Sequence, residues 1–263
     1  MQRIITILRK EWAEVFKNRF VLFTVAFLPL ILTAIPLAIF YFMGDASELG
    51  DMMSSDLPGN FAEFCPDMQP AACAMYYLVS QFMLLFMLMP LAIPITIASY
   101  SIIGEKTTRT LEPVLATPIT TIELLLGKAL SAVLPAIAAT WFGFGIFVGG
   151  AFLMSVNPEV LNRLFDPLWL STVFLVGPLM AVASVSVAVM VSSRANDPRV
   201  AEQLSMLVIL PLLGFFFGQV TGLFFLNQTL ILWSAVVLTI IDAGLLFFAV
   251  RLFERETILT RWK

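Results

Sequence analysis

Side chains that could carry out chemistry are scarce in this 263-residue sequence. It contains no histidine and only two cysteines, Cys65 and Cys73. The lack of histidine excludes Ser-His-Asp and Cys-His nucleophilic sites as well as HExxH metal sites. Two cysteines without other soft ligands nearby do not make a zinc centre. We therefore expect neither a catalytic site nor a metal site in this chain.

The sequence also lacks a phosphate-binding loop. Its single Gly-Lys pair, Gly127-Lys128, is followed by Ala129, and Ile122 stands where a Walker A motif requires its first glycine. The chain should therefore bind no ATP in the P-loop manner. Any transport against a gradient would need energy from a partner or from an ion.

One ionisable residue, Asp242, lies deep inside an apolar run. A carboxylate in the membrane interior costs roughly 2.5–3.5 kcal/mol. We expect its side chain to hydrogen-bond to a neighbouring helix or to reach water near the inner half of the membrane. The alternative is that Asp242 binds a proton or a cation, in which case the protein would be an ion-coupled carrier or channel.

Both cysteines lie in residues 44–75, a segment with six acidic and no basic residues. In an oxidising compartment we expect Cys65 and Cys73 to form a disulfide, and two free thiols are the alternative. The segment is too short and polar for a packed domain, so we predict a loop.

The elements that position these groups are apolar runs, each long enough to cross a bilayer, which takes about 20 residues. Apolar residues make up 60% of the chain and charged residues 13%. Asn227-Gln228-Thr229 is the only polar place at which the uncharged stretch between Glu202 and Asp242 can turn back. The predicted spans are at about 20–43, 76–103, 129–154, 168–192, 204–225 and 230–250.

The basic residues indicate the orientation of these spans. Of the 15 Lys and Arg residues, all except Arg163 fall before the first span or after an even-numbered one. Because basic loops stay in the cytoplasm, both termini should be cytoplasmic and the 44–75 loop extracytoplasmic. The predicted fold is an all-α membrane protein: a six-span domain over residues 20–263, preceded by an amphipathic helix over residues 1–19. Its apolar stripe consists of Ile4, Leu8, Trp12 and Phe16.

Two other patterns predict local structure. In the cytoplasmic loop 104–122, Pro113 can begin a short helix that Pro118 ends, and Thr120-x-x-Glu123 is a capping box for the third span. In the fifth span, small residues four apart predict a close helix contact. These residues are Gly214, Gly218 and Gly222.

Four segments of the chain together resemble the permeases of ABC-type-2 transporters, in particular their sodium-exporter-like branch. The segment EKTTRTLEPVLATPIT is similar to that family's E-x-x-x-x-TLE-x-LL-x-TP stretch, with Val114 where leucine is common. RKEWAEVFKNRFVLFTVAFLPLIL, SSRANDPRVAEQLS and RLFERETILTRWK are similar to its N-terminal helix and first span, a cytoplasmic turn and its C-terminal tail. The resemblance covers nearly the whole chain.

The resemblance implies a permease of an ATP-driven exporter in a prokaryotic cytoplasmic membrane. Residues 1–19 would be an elbow helix. Two permeases, as a homodimer or with a close homologue, would work with two ATPase subunits, which bind the ATP and Mg²⁺. The chain itself would be no enzyme, would need no cofactor and would bind membrane lipid but no nucleic acid. A non-transporting assembly subunit is a further alternative.

The resemblance also assigns roles to individual residues. The fifth span, with its three glycines, would lie near the subunit contact, and Arg194, Asp197 and Arg199 would form a second cytoplasmic contact. A coupling helix would dock on the ATPase. The coupling residues would be Glu105, Arg109, Thr110, Leu111, Glu112, Pro113, Leu115 and Pro118.

Overall fold

The computed structural model describes residues 2–42, 69–108, 120–154, 156 and 158–252. Within them the chain forms helices joined by short turns, with no strand. A π-helical turn at Thr172–Val176 and a 3₁₀ turn at Met206–Ile209 connect helices that follow one another directly. The α-helices are Gln2–Val15, Arg19–Phe42, Pro70–Phe86, Leu88–Thr107, Thr121–Leu153, Pro158–Leu164, Pro167–Ser171, Gly177–Arg194, Pro198–Ser205, Leu210–Val220 and Gln228–Leu252.

Six helical stretches are long and apolar enough to cross a membrane, which confirms the predicted all-α, six-span fold. Four of them differ from their predicted bounds. The second is four residues longer at each end, and the third begins seven residues earlier, at Ile122. The fourth begins with a short helix at Pro158, and the fifth begins at Pro198 and ends at Val220. The spans are Val21–Phe42, Ala72–Thr107, Ile122–Leu153, Pro158–Arg194, Pro198–Val220 and Gln228–Leu252.

The second span is the centre of the bundle. In its apolar window 83% of the residues are buried, against 11% in the first span and 17% in the fifth and sixth. Its helix Leu88–Thr107 packs against the third and fourth spans. The first, fifth and sixth spans therefore present most of their apolar surface outward, where a bilayer or another subunit can cover it.

Each break within a span comes shortly before a proline. Met87 interrupts the second span three residues before Pro90. The π-helical turn lies just before Pro178 in the fourth span, and the 3₁₀ turn lies just before Pro211 in the fifth. A proline ring cannot donate a hydrogen bond and clashes with the carbonyl group four residues earlier, so the helix changes geometry at that point.

One carbonyl group that a proline leaves free has a partner on another span. Pro94 lacks an N–H group, so the carbonyl oxygen of Pro90, four residues earlier, receives no helical hydrogen bond from it. The buried Ser184 of the fourth span shares its hydroxyl hydrogen between this oxygen, at 3.2 Å, and Ala181 O of its own helix, at 3.0 Å. The hydrogen bond links the second and fourth spans at the middle of the bundle.

Replacing Ser184 with alanine should lower the free energy of unfolding by about 1 kcal/mol, because the Pro90 carbonyl oxygen would lose its partner. The matched control is Ser186→Ala, since the Ser186 hydroxyl donates only within its own helix, to Val182 O at 2.8 Å. Unfolding of both variants by denaturing detergent in mixed micelles provides the comparison. Equal stabilities of the two variants would contradict the role given to Ser184.

The glycine row of the fifth span is shorter than predicted. The helix ends at Val220, and Gly222 lies beyond it with φ 70°, a conformation that favours glycine. Gly222 therefore ends the helix and does not extend the row. A Cβ atom on Gly218 would lie 2.4 Å from the Phe224 ring, whereas one on Gly214 would have no atom within 4 Å. The place of Gly214 at a subunit contact stays a prediction.

Candidate functional site

The N-terminal helix packs against the third span, with one face turned inward. Ile7, Glu11 and Val15, each four residues apart, are its buried residues. This face is not the one that the apolar stripe predicted. Phe16 is 46% exposed. The other stripe residues, which are half-buried at the edge of the contact, are Ile4, Leu8 and Trp12.

Gly127 of the third span allows the N-terminal helix to come this close. A Cβ atom at Gly127 would lie 2.7 Å from Ile7 Cγ2 and 2.9 Å from Ile7 Cβ, which is closer than such atoms can approach. Nearby, the Trp12 indole N–H donates to the carbonyl oxygen of Ser131 at 3.0 Å. The Gly127-Lys128 pair, which does not belong to a phosphate-binding loop, is thus part of a helix contact.

Lys128, the next residue, is the centre of a buried group of charges. Its ammonium nitrogen lies 2.8 Å from Glu11 Oε1, 2.7 Å from Glu105 Oε2 and 2.9 Å from Ser101 Oγ. The three ammonium hydrogens therefore have three oxygen neighbours. The hydroxyl group of Ser101 in turn donates to the second carboxylate oxygen of Glu11.

Lys10 completes the group by donating to the other oxygen of Glu105. We name Lys10, Glu11, Ser101, Glu105 and Lys128 the basal cluster. Burial by itself lowers the pKa of Lys10, but the hydrogen bond and charge of Glu105, with the charges of Glu11 and Glu14, outweigh it and raise the pKa. The contribution of Lys10 to stability is thus fully present below the usual lysine pKa and is lost only as the pH rises through the raised value.

Three side chains of the basal cluster are almost completely shielded from solvent, whereas that of Lys10 is 40% exposed. The side chains of Glu11, Glu105 and Lys128 are 2%, 5% and 3% exposed. Two carboxylates and two ammonium groups cancel in charge, which makes their burial possible. A cavity of about 340 Å³ adjoins the cluster between the N-terminal helix and the second span, and Glu14, Asn18 and Tyr100 are among its lining residues.

The cluster holds together the two helices that flank residues 109–119, which belong to the predicted loop 104–122. Glu105 is in the last turn of the second span, and Lys128 is in the second turn of the third. The third span begins with the predicted capping box, which is confirmed: Thr120 Oγ1 accepts from the Glu123 N–H at 3.2 Å, and Glu123 Oε2 accepts from the Thr120 N–H at 2.9 Å. Arg3 of the N-terminal helix lies 3.5 Å from the same carboxylate.

The turn between the fourth and fifth spans attaches to the same region. Lys106, next to Glu105, donates to the carbonyl oxygen of Ala195 at 2.9 Å. Asp197 caps the following helix by accepting from the Arg199 N–H at 2.7 Å, as Asp-Pro at this position predicts. Arg194, Asp197 and Arg199 are all exposed on this turn. The last turn of the second span therefore contacts the N-terminal helix, the third span and the fourth-to-fifth turn.

Of the eight predicted coupling residues, one lies within the described part of the chain. Glu105 is in the basal cluster, whereas the others lie outside the described residues, as does Cys65. Cys73 is buried and disulfide-bonded, and its predicted pairing with Cys65 stays a prediction. The coupling residues outside the described part are Arg109, Thr110, Leu111, Glu112, Pro113, Leu115 and Pro118.

Asp242 is 5% exposed in the sixth span. Neither of its carboxylate oxygens has a hydrogen-bond partner among the described residues. The expected hydrogen bond to a neighbouring helix is therefore not formed within the described residues, and access to water stays a prediction.

The comparison with protein families agrees with this architecture. A family model described as "ABC-2 family transporter protein" matches residues 5–249, from the N-terminal helix to the end of the sixth span. A comparison with curated proteins found no match. With its six spans, the chain belongs to the ABC-2 transporter family and is an integral membrane permease of that family.

Proposed function

We propose that this permease is the transmembrane subunit of an ATP-driven exporter, with ATP hydrolysed on a separate subunit. Two copies of the permease, or one copy and a close homologue, would assemble with two ATPase subunits. Coupling to the ATPase would occur through Leu111 and Glu112 of the 109–119 loop, with Arg194, Asp197 and Arg199 as a second contact. The chain would carry out no catalysis of its own.

The buried pair of Glu105 and Lys128 is the observation that supports this proposal best. Their 2.7 Å contact joins the helix that enters the 109–119 loop to the helix that leaves it. Because both helix ends are fixed to each other and to the N-terminal helix, a push on the loop would move them as one body. The second span would carry that movement into the centre of the bundle.

The distribution of charge supports the proposed orientation in a prokaryotic cytoplasmic membrane. All basic residues except Arg163 fall on one side of the six spans, so both termini and the 109–119 loop would face the cytoplasm, where ATP is available. Labelling of cysteines introduced at Lys106 and Lys263 should find both on the same side of the membrane. Opposite sides would contradict this orientation.

Leu111→Asp and Glu112→Arg should each abolish stimulation of the ATPase subunit by the permease in nanodiscs, while the amount of permease in the membrane stays unchanged. The first change places a charge on the apolar docking face, and the second reverses a charge at the contact. A matched charge reversal, Glu159→Arg, changes an exposed residue on the short helix at the start of the fourth span and should leave stimulation intact.

The same preparation separates the other functions. Full stimulation by both loop variants would contradict coupling through this loop. Substrate flux without nucleotide, lost in Asp242→Asn, would instead indicate an ion-coupled carrier or channel. Normal assembly with the ATPase but no flux in proteoliposomes would indicate an assembly subunit.

A further inference from the structure

Asp242 is an ionisable group within the sixth span that the ATP-driven mechanism does not use. It is in the sixth span, 5% exposed, and its Oδ1 and Oδ2 atoms are both buried without a hydrogen-bond partner among the described residues. A buried polar atom without a partner is rare in native proteins, so the two oxygen atoms are suited to binding an ion or a water molecule.

The depth of Asp242 follows from a contact between the fourth and sixth spans. Gln228 Nε2, at the start of the sixth span, donates to Ser171 Oγ at 3.2 Å. The fourth and sixth spans run in the same direction, because one span separates them along the chain. Fourteen residues further along each helix, Asp242 reaches about the level of residue 185, near the middle of the bundle.

The serine hydroxyl groups of the fourth span nearest this level are already occupied. The Ser192 hydroxyl, which has no partner among the described residues, lies two turns (~10 Å) further along that span. Ser184 donates to Pro90 O and Ser186 to Val182 O, so neither has a hydrogen left for the carboxylate. On the sixth span itself, Thr239 donates to Ala235 O. A water molecule could donate hydrogen bonds to the carboxylate but would leave its charge uncompensated, whereas a cation satisfies both the oxygens and the charge.

Basic side chains on the surrounding helices are too distant or already paired. The sixth span packs against the fourth span and, to a lesser extent, the third. Among the described residues of these helices that could reach inward, Arg194 ends the fourth span and Lys128 is held by Glu11 and Glu105. Arg251, nine residues further along the sixth span, lies 4.3 Å over the Phe247 ring. The remaining ionisable groups on the packed helices are Glu123, Glu159, Arg163 and Asp166, which lie near span ends.

We propose that Asp242 is the binding residue for a small cation, either a proton or an alkali-metal ion, within the sixth span. A small cation compensates the negative charge of the carboxylate, so that no basic side chain is needed beside it. The site does not depend on the proposed coupling to an ATPase, because it lies within one chain and can be measured without the partner.

The test is thermal unfolding of the full chain in nanodiscs without the ATPase, for the wild type and for Asp242→Asn. A bound cation stabilises the folded state, so at 100 times its dissociation constant the wild-type Tm should rise by about 5–10 °C. One arm lowers the pH from about 9 to about 6 in sodium-free buffer, and the other replaces N-methylglucamine with Na⁺ or K⁺ at constant pH. The asparagine variant should show neither rise.

The two arms distinguish the cations. A rise with falling pH alone identifies a proton, and a rise with Na⁺ or K⁺ identifies a metal ion. The matched control is Asp166→Asn, which changes an acid paired with Arg163 near the start of the fourth span and should keep the wild-type response. The proposal is overturned if the wild type responds to neither condition, or if Asp242→Asn responds as the wild type does.

A second measurement needs only the wild type and so remains available if the variant fails to fold. Dicyclohexylcarbodiimide modifies protonated carboxyl groups in apolar surroundings, and mass spectrometry locates the modified residue. We expect modification at Asp242. Raised pH alone should prevent the modification if the cation is a proton, and Na⁺ or K⁺ should also prevent it if the cation is a metal ion. Lack of modification between about pH 6 and about pH 9 without metal ions would overturn the proposal.

Discussion

Replacing Lys128 with alanine is expected to lower the free energy of unfolding of the permease by about 3–5 kcal/mol. Its ammonium group lies within 2.8 Å of Glu11 and 2.7 Å of Glu105, and all three side chains are at most 5% exposed. Without it, two carboxylates remain buried with only Lys10 nearby. Denaturing-detergent titration in mixed micelles, followed by tryptophan fluorescence, measures the loss.

Two further variants show whether the loss comes from uncompensated charge. Lys17→Ala removes an exposed lysine just after the N-terminal helix and should change stability by less than about 0.5 kcal/mol. The double variant Glu11→Ala/Lys128→Ala should lose less stability than the sum of the two single variants. In the double variant, neither residue of this pair remains as a buried charge without the other. Additive costs would show that the two residues act independently.

The second large effect is expected for Gly127→Ala, which should destabilise the protein by about 1–3 kcal/mol. The added Cβ atom would lie 2.7 Å from Ile7 Cγ2, and the Cβ atom of Ile7 at 2.9 Å cannot rotate away. The N-terminal helix must therefore shift outward. Nitroxide labels on the exposed Ile5 and Leu134 measure that displacement by electron spin resonance.

The same helix provides the control for this change. Gly145 is also in the third span, and a Cβ atom there would have no neighbour within 4 Å. Gly145→Ala should therefore be neutral or slightly stabilising, since alanine favours helix more than glycine does. In the Gly127→Ala background, Ile7→Ala should recover part of the lost stability. A larger effect at Gly145 than at Gly127 would contradict the close approach.

The number of spans could be predicted from the sequence because membrane helices require long apolar runs without charge. Helix ends with local signals were also predictable: the Thr120/Glu123 capping box and the Asp197 cap form as expected. These features depend on residues within one turn of each other. The packing of the spans against one another depends on residues far apart in the sequence, and the predictions of these contacts were weaker.

The basal cluster is the main feature that the sequence did not predict. An apolar stripe can identify the buried face of a helix only when the buried residues are all apolar. In the N-terminal helix, the charged residue Glu11 is at the centre of the buried face. In the sequence analysis, Lys128 served only as a basic residue that indicates the cytoplasmic side. A lysine so close to an apolar run can also indicate a buried acidic partner. Ion pairs between residues 95 and 117 positions apart leave no periodic pattern in a single sequence.

The ends of the fifth span were mispredicted for a related reason. Gly222 continues a four-residue spacing, but its positive φ ends the helix, and spacing alone does not distinguish these uses of glycine. For Asp242, composition showed only that a carboxylate lies in an apolar run. The structure adds that this carboxylate has no partner among the described residues, and that the Ser184 and Ser186 hydroxyl groups donate to backbone carbonyl oxygens.

The cancellation of charge in the basal cluster has an electrical consequence. Moving one elementary charge across a membrane involves about 2.3 kcal/mol per 100 mV. Two acids and two bases that shift together carry no net charge, so the membrane voltage does almost no work on them. A displacement of this part of the permease should therefore proceed equally well in energised and depolarised cells.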